Sequence, residues 1–151
     1  MRIGELGNVD YNNVNTEKRM IQTIGKTGRK AYYIPDETNE KLKYFIKNRK
    51  ELKLEIKSLF LSNQLKRISV RRIQMILTDC IKDLGIEKRI TPQTFRRTIN
   101  TFRKKLGCNM EDRKILLNHK VNDVNYESYV KLNYDDFIQL YDKWYPYNFK
   151  K

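Results

Sequence analysis

Three kinds of side chain in the second half of the chain could together act on a phosphate: Arg96, the lone histidine His119, and the tyrosines Tyr126 and Tyr129. A guanidinium stays charged and can grip two phosphate oxygens in one plane. A histidine can hydrogen-bond a phosphate oxygen. A tyrosine hydroxyl can serve as a nucleophile and form a covalent intermediate. All four residues fall in the stretch 91–129, which opens TPQTFRRTINTFRKKLG, passes through ILLNHK and closes in NYESYVK. Each has a plainer reading as well. Arg96 lies beside Arg97 in a basic helix, where either could be a simple phosphate contact. His119 could cap the C-terminus of its helix, where a cation is favourable. Tyr126 and Tyr129 share a helical face, so one of them could be packing.

The elements that must position these residues can be read from punctuation and periodicity. Arg2 to Leu6 reads as the end of a helix that stops at Gly7. Val9 to Val14, Arg19 to Ile24 and Arg29 to Ile34 are strand candidates, the last stopped by Pro35. Gly25 and Gly28 flank Lys26-Thr27 as in a tight hairpin, which puts Lys26 at a tip. Asp36 or Thr38 caps a helix over Asn39 to Arg49, with Leu42, Phe45 and Ile46 on one face. Lys50 to Lys57 is ambiguous between helix and loop, and Leu59-Phe60-Leu61 is a short apolar run. Ser69 caps a helix to Leu84 with Gly85 as its stop. Thr91-Pro92 starts a helix that runs to Leu106 and stops at Gly107. Further helices are expected over Met110 to Asn118, Asp123 to Lys131 and Tyr134 to Trp144. In that last helix Tyr141, Trp144 and Tyr145 read as a packing stripe. The fold class is α+β: mainly α-helical, with a small three-stranded antiparallel sheet near the N-terminus.

Length and charge bound the function. The 151 residues make one domain with a normal core, at 39% hydrophobic. No apolar run approaches the roughly 18–20 residues that span a bilayer, and no signal region marks export, so the expectation is a cytoplasmic protein with no membrane partner. Cys80 and Cys108 form no CxxC pair and read as free thiols, and one histidine with two scattered cysteines is not zinc spacing. The net charge of +14 makes nucleic acid the leading partner. That charge is polarised. Lys41 to Arg72 holds eleven basic residues against two acids, and Arg96 to Lys105 holds five basic residues and no acid. Asp123 to Asp142 reverses the balance, with five acids and one lysine. A DNA-facing surface requires such an uneven distribution.

Five boxes in order carry a family resemblance. RIGEL (Arg2 to Leu6) resembles the first arginine box of the tyrosine recombinase (phage integrase) family, with Glu5 three residues beyond Arg2. GKTGRKAYYIP (Gly25 to Pro35) resembles its lysine hairpin and following strand, and SLFLSN (Ser58 to Asn63) the stretch before its long helix. ITPQTFRRT (Ile90 to Thr98) resembles the histidine-x-x-arginine box, and ILLNH (Ile115 to His119) the leucine-glycine-histidine box. Tyr129 lies ten residues beyond His119, where the family's tyrosine falls.

The resemblance covers nearly the whole chain and implies the catalytic domain of a DNA-breaking and rejoining enzyme. Tyr129 would be the nucleophile of a 3′-phosphotyrosyl link. Arg2 and Arg96 would stabilise the phosphate, Lys26 would protonate the leaving 5′-oxygen with Lys30 as a fallback acid, and His119 would hydrogen-bond the phosphate. Glu5 would orient an arginine, and Gln93 takes the place of the usual histidine. The candidate DNA contacts are Lys30, Arg71, Arg72 and Arg97. No cofactor or metal is implied. The implied partners are double-stranded DNA and further copies of the chain, as a tetramer on DNA, in the nucleoid of a prokaryotic host. Mobile elements and viruses are further expected contexts. The family's N-terminal core-binding domain has no counterpart in this sequence. A non-catalytic DNA-binding remnant and a type IB topoisomerase-like enzyme are the alternative readings.

Overall fold

The computed structural model describes residues 1–25, 28–118 and 133–146. The chain divides into two compact units, Met1–Phe95 and Arg96–Lys151. The architecture is the expected one, mostly helical with a three-stranded antiparallel sheet.

The first unit opens with a short helix, α1 (Ile3–Gly7). Gly7 is its last residue rather than a left-handed stop, and Asn8 follows as the C-cap. A Cβ on Gly7 would lie 3.5 Å from Ile73 Cδ1 and 3.6 Å from the Ile68 carbonyl, which is ordinary van der Waals contact. Val9 to Val14 does not form the expected strand. Val9 is buried in the core, Tyr11–Asn13 is a 3₁₀ turn, and only Val14–Asn15 (β1) joins the sheet. The polar pair Asn12-Asn13 explains this, since short amides favour turns by bonding local backbone. The Asp10 N–H donates to Asn13 Oδ1 at 3.3 Å.

β1 pairs with β2 (Met20–Gly25), and β2 with β3 (Gly28–Tyr33), all antiparallel. The register places Ile21 opposite Tyr32, Thr23 opposite Lys30 and Gly25 opposite Gly28. Side chains alternate across a strand, so Ile21, Thr23, Lys30 and Tyr32 share one face. Ile21 and Tyr32 are buried, whereas Ile24 on the other face is 79% exposed. Lys26, at the expected hairpin tip, lies outside the described residues.

α2 (Asp36–Glu51) begins three residues earlier than expected. Pro35 occupies the N-cap position without a side-chain cap, so Asp36 and Thr38 lie inside the helix instead of capping it. Asp36 and Glu37 suit that first turn because the helix dipole favours anions there. The segment after Glu51 is loop. Arg49 pins it: buried on α2, it donates from Nη2 to the Ile56 carbonyl (2.6 Å) and from Nε to that of Ser58 (3.2 Å). Leu59 then enters the core with Val9, Ile21 and Ile46. α3 (Val70–Asp83) is capped as expected, by Ser69 Oγ accepting from the Arg72 N–H at 3.1 Å, and the left-handed Gly85 (φ +64°) follows it.

α4 (Pro92–Lys105) starts with proline at its first position. The Thr91 and Thr94 hydroxyls each accept from the other residue's backbone N–H, at 3.3 and 3.1 Å. In the second unit, α5 (Met110–Leu116) is capped by Asn109 and α6 (Tyr134–Lys143) by Asn133. The aromatic stripe of α6 packs as expected. Tyr141 is buried and stacks on Tyr145 with centroids 5.6 Å apart, and Trp144 Nε1 donates to Asp112 Oδ2 at 3.0 Å. The helix expected over Asp123 to Lys131 lies outside the described residues. No helix among the described residues is long and apolar enough to cross a membrane.

Candidate active site

Arg2 occupies the N-cap position of α1. The first turn of that helix leaves backbone donors unpaired, and Glu5 reaches back to take one of them. Glu5 Oε2 accepts from the Arg2 N–H at 2.7 Å and from the Tyr32 hydroxyl at 2.6 Å. Oε1 accepts from Lys30 Nζ at 2.9 Å, and the Arg2 guanidinium lies 3.5 Å from the same oxygen. Each carboxylate oxygen thus joins one β3 side chain to one part of Arg2. Glu5 is buried, and burial by itself would raise its pKa. Hydrogen bonds from Tyr32, the Arg2 N–H and Lys30, with the Lys30 charge, outweigh that and hold the group at about 2. The carboxylate is therefore permanently ionised at neutral pH.

Lys30 occupies a different place from the DNA contact expected of it. Its side chain is 8% exposed and its ammonium faces Glu5, because strand alternation turns it to the covered face with Tyr32. Tyr32 itself went unread in the sequence except as a strand former. Its signal was its position two residues beyond Lys30, on the same face.

In the second unit Arg96 donates from Nη2 to the carbonyl of Leu117. Leu117 is the C-cap of α5, where carbonyls lack intrahelical partners and a cation is favoured. Asn118 follows with φ +51°, the left-handed geometry that asparagine tolerates better than most residues. Arg96 is thereby tied to the turn that leads in sequence to His119. His119, Tyr126 and Tyr129 lie outside the described residues.

Seven residues beyond Arg96, on the same face of α4, Arg103 does the same for α6. It is 2% exposed, its Nε donates to the carbonyl of the C-cap Trp144 at 3.2 Å, and its guanidinium lies 5.9 Å from the Tyr141 ring centroid. Burial pushes its pKa down from the usual guanidinium value. Arg67 caps α1 in the same way, with Nη1 donating to the Gly7 carbonyl at 3.2 Å and Nη2 2.5 Å from Asp10 Oδ1. Arg49, Arg67 and Arg103 were all counted in the basic runs of the sequence, yet each is committed to backbone carbonyls. Of the other candidate DNA contacts, Arg71 and Arg97 are exposed and Arg72 is half-buried. Gln93 is exposed one turn before Arg96 on α4.

A cap-position arginine held by a buried carboxylate, followed far along the chain by a second arginine at the turn before the histidine, is the pattern that the sequence boxes imply. The model of the phage integrase family matches residues 1–136. The chain belongs to the phage integrase family. This integrase-family chain is 24% identical over 148 residues to the tyrosine recombinase XerC of Leptospira interrogans serovar copenhageni, covering 97% of the chain and 47% of that protein. It is 27% identical over 154 residues to XerC of Thermodesulfovibrio yellowstonii, covering 97% and 50%. Among solved structures, the crystal structure of XerA recombinase matches with a TM-score of 0.71 and 25% identity, over 94% of this chain and 52% of that one. The chain spans about half the length of the curated relatives it matches.

Proposed function

We propose that this chain is the catalytic domain, over residues 1–151, of a site-specific DNA recombinase that cuts and rejoins strands through a 3′-phosphotyrosyl intermediate. The observation that carries the reading is the Arg2 setting: a buried, ionised Glu5 engaged by four donors from Arg2, Lys30 and Tyr32, in a chain whose family match runs through both arginine boxes.

In the proposed reaction the Tyr129 hydroxyl loses its proton to solvent as its oxygen attacks phosphorus, a P–O bond to tyrosine forms and the P–O5′ bond breaks. Arg2 and Arg96 stabilise the charge that builds on the non-bridging oxygens. Lys26 gives its proton to the departing 5′-oxygen, and His119 hydrogen-bonds the phosphate. Gln93 can donate a hydrogen bond where the family commonly has histidine, but it cannot exchange a proton at neutral pH. The phosphotyrosyl link conserves the bond energy, so a second strand's 5′-hydroxyl can attack it without a nucleotide cofactor. The partner is double-stranded DNA, with four copies of the chain assembling on it, in the cytoplasm of a prokaryotic cell. The relatives named XerC are bacterial, and integration of a mobile or viral element is a narrower version of the same reading.

The test is covalent trapping. A pool of nicked duplexes of randomised sequence is incubated with the protein, and adducts that survive denaturant are recovered and sequenced. Wild type is expected to form the adduct and Tyr129→Phe to form none. An adduct that persists in Tyr129→Phe but is lost in Tyr126→Phe would move the nucleophile to Tyr126. DNA binding with no adduct would favour the non-catalytic remnant. Relaxation of supercoiled plasmid by a monomer, without strand exchange, would favour the topoisomerase-like reading.

A further inference from the structure

We propose that Lys30 and Tyr32 are positioning residues for Arg2: Lys30 is the counter-ion that keeps Glu5 from capturing the Arg2 guanidinium, and Tyr32 fixes the carboxylate in the orientation that allows this. The inference rests on the recombinase reading and assigns two further residues to the same site.

The geometry is a competition for one oxygen. Glu5 Oε1 has two cationic suitors, Lys30 Nζ at 2.9 Å and Arg2 Nη1 at 3.5 Å. Lys30 holds the short, charge-assisted bond with its side chain buried, whereas the Arg2 side chain is 52% exposed and only grazes the oxygen. The Arg2 guanidinium therefore keeps its outer donors for an incoming anion while Glu5 still limits where it can swing. On the other oxygen, the Tyr32 hydroxyl and the Arg2 N–H bind side by side at 2.6 and 2.7 Å. That pair prevents the carboxylate from rotating to offer both oxygens to the guanidinium. A carboxylate with neither restraint would form a bidentate pair with Arg2, the preferred geometry for these groups, and would withdraw it from a phosphate. Lys30 and Tyr32 alternate on one face of β3, the strand that leads out of the hairpin carrying Lys26. The same contacts therefore fasten that strand to the Arg2 turn.

The experiment uses single-turnover cleavage of the nicked duplex recovered from wild-type adducts, with DNA affinity measured separately by fluorescence anisotropy. Lys30→Met is expected to slow adduct formation at saturating protein by roughly 10- to 100-fold, less than the roughly 10²- to 10³-fold of losing a donor aimed at the reacting charge because Lys30 acts through Arg2, with DNA affinity within about 3-fold of wild type. Lys30→Arg should restore most of the rate. The deciding variant is the double substitution Glu5→Gln with Lys30→Met. If Lys30 works by neutralising Glu5, removing the carboxylate charge relieves the defect, and the double variant should be faster than Lys30→Met by about 10-fold, a strongly non-additive result.

A double variant no faster than Lys30→Met would overturn the counter-ion role. So would a Lys30→Met variant whose affinity falls in step with its rate, because that is the behaviour of a direct DNA contact. Tyr32→Phe, which removes one hydroxyl and keeps the ring, gives a second arm should Lys30→Met fail to fold. It is expected to slow cleavage about 10-fold with unchanged affinity, and a wild-type rate would count against the proposal. Wild-type protein that forms no adduct at all is a separate outcome that removes the recombinase reading itself, and this proposal with it.

Discussion

Glu5→Gln isolates the most heavily engaged carboxylate of the structure. Glutamine keeps the shape but replaces one acceptor oxygen with an NH2 group. Both Glu5 oxygens face donors, Lys30 and the Arg2 guanidinium on one side, Tyr32 and the Arg2 N–H on the other. Either orientation of the amide therefore sets a donor against a donor. The pH dependence follows from the direction of the shift. Glu5 lies at about 2 in the folded chain against 4.5 for an unperturbed glutamate. A depressed folded-state pKa gives stabilisation that is fully present above 4.5 and lost as pH falls toward 2. At 1.36 kcal/mol per unit the shift sets a ceiling near 3 kcal/mol, and screening at the half-exposed Arg2 reduces it to about 2 kcal/mol. Urea unfolding followed by circular dichroism on both proteins gives the difference directly. The wild type should be more stable by about 2 kcal/mol at neutral pH, and the gap should close progressively below 4.5 as its own carboxylate protonates. A gap that stays constant from neutrality down to about pH 3 would refute the assignment of the stabilisation to the charge on Glu5.

Three further predictions concern backbone and packing. Gly85→Ala and Gly107→Ala should each lower stability by about 1 kcal/mol in urea titrations, because both glycines are left-handed and nothing lies within 4 Å of an added Cβ, leaving backbone strain as the whole effect. Asn118→Val should lose about 1–2 kcal/mol, since φ is +51° there. Arg103→Met keeps the apolar stem but strands the Trp144 carbonyl, and should lower stability by about 2 kcal/mol in thermal or urea melts.

Much of the fold was legible because its punctuation is local. Ser69 before an apolar-periodic run, Thr91-Pro92, and the glycines Gly85 and Gly107 each act within one turn of themselves, and the structure uses them as expected. The misreadings arose where a distant partner decides. Val9 is β-branched and read as strand, yet it is a core residue beside Leu59, and the amides that follow turn the chain. Asp36 and Thr38 read as caps, but Pro35 had already set the helix start. The boxes singled out Arg2 with Glu5 in the first unit and Arg96 in the second because motif spacing is itself local information. Tyr32 was missed because its role depends on a hydrogen bond to a residue 27 positions away, which strand alternation alone could suggest but not identify.

The charge count was the least faithful guide, and the reason can be tested. A formal +14 treats every cation as available to DNA. The structure assigns Arg67 and Arg103 to the C-terminal carbonyls of α1 and α6, and Arg49 to the loop after α2. Helix ends leave carbonyls unpaired, and an arginine supplies charge complementarity and directed donors together, so a chain of short helices uses up arginines structurally. Only cations that neutralise a phosphate release counterions, and each contributes about 0.9 to the slope of log affinity against log salt. Arg71→Gln and Arg97→Gln, both exposed, should therefore each reduce that slope by about 1. Arg103→Met removes the same formal charge from a buried site and should leave the slope unchanged, measured by anisotropy on any random-sequence duplex over a salt titration. A slope that falls equally for all three would mean that long-range net charge governs binding, and that the distinction between capping and DNA-facing arginines has no consequence for affinity.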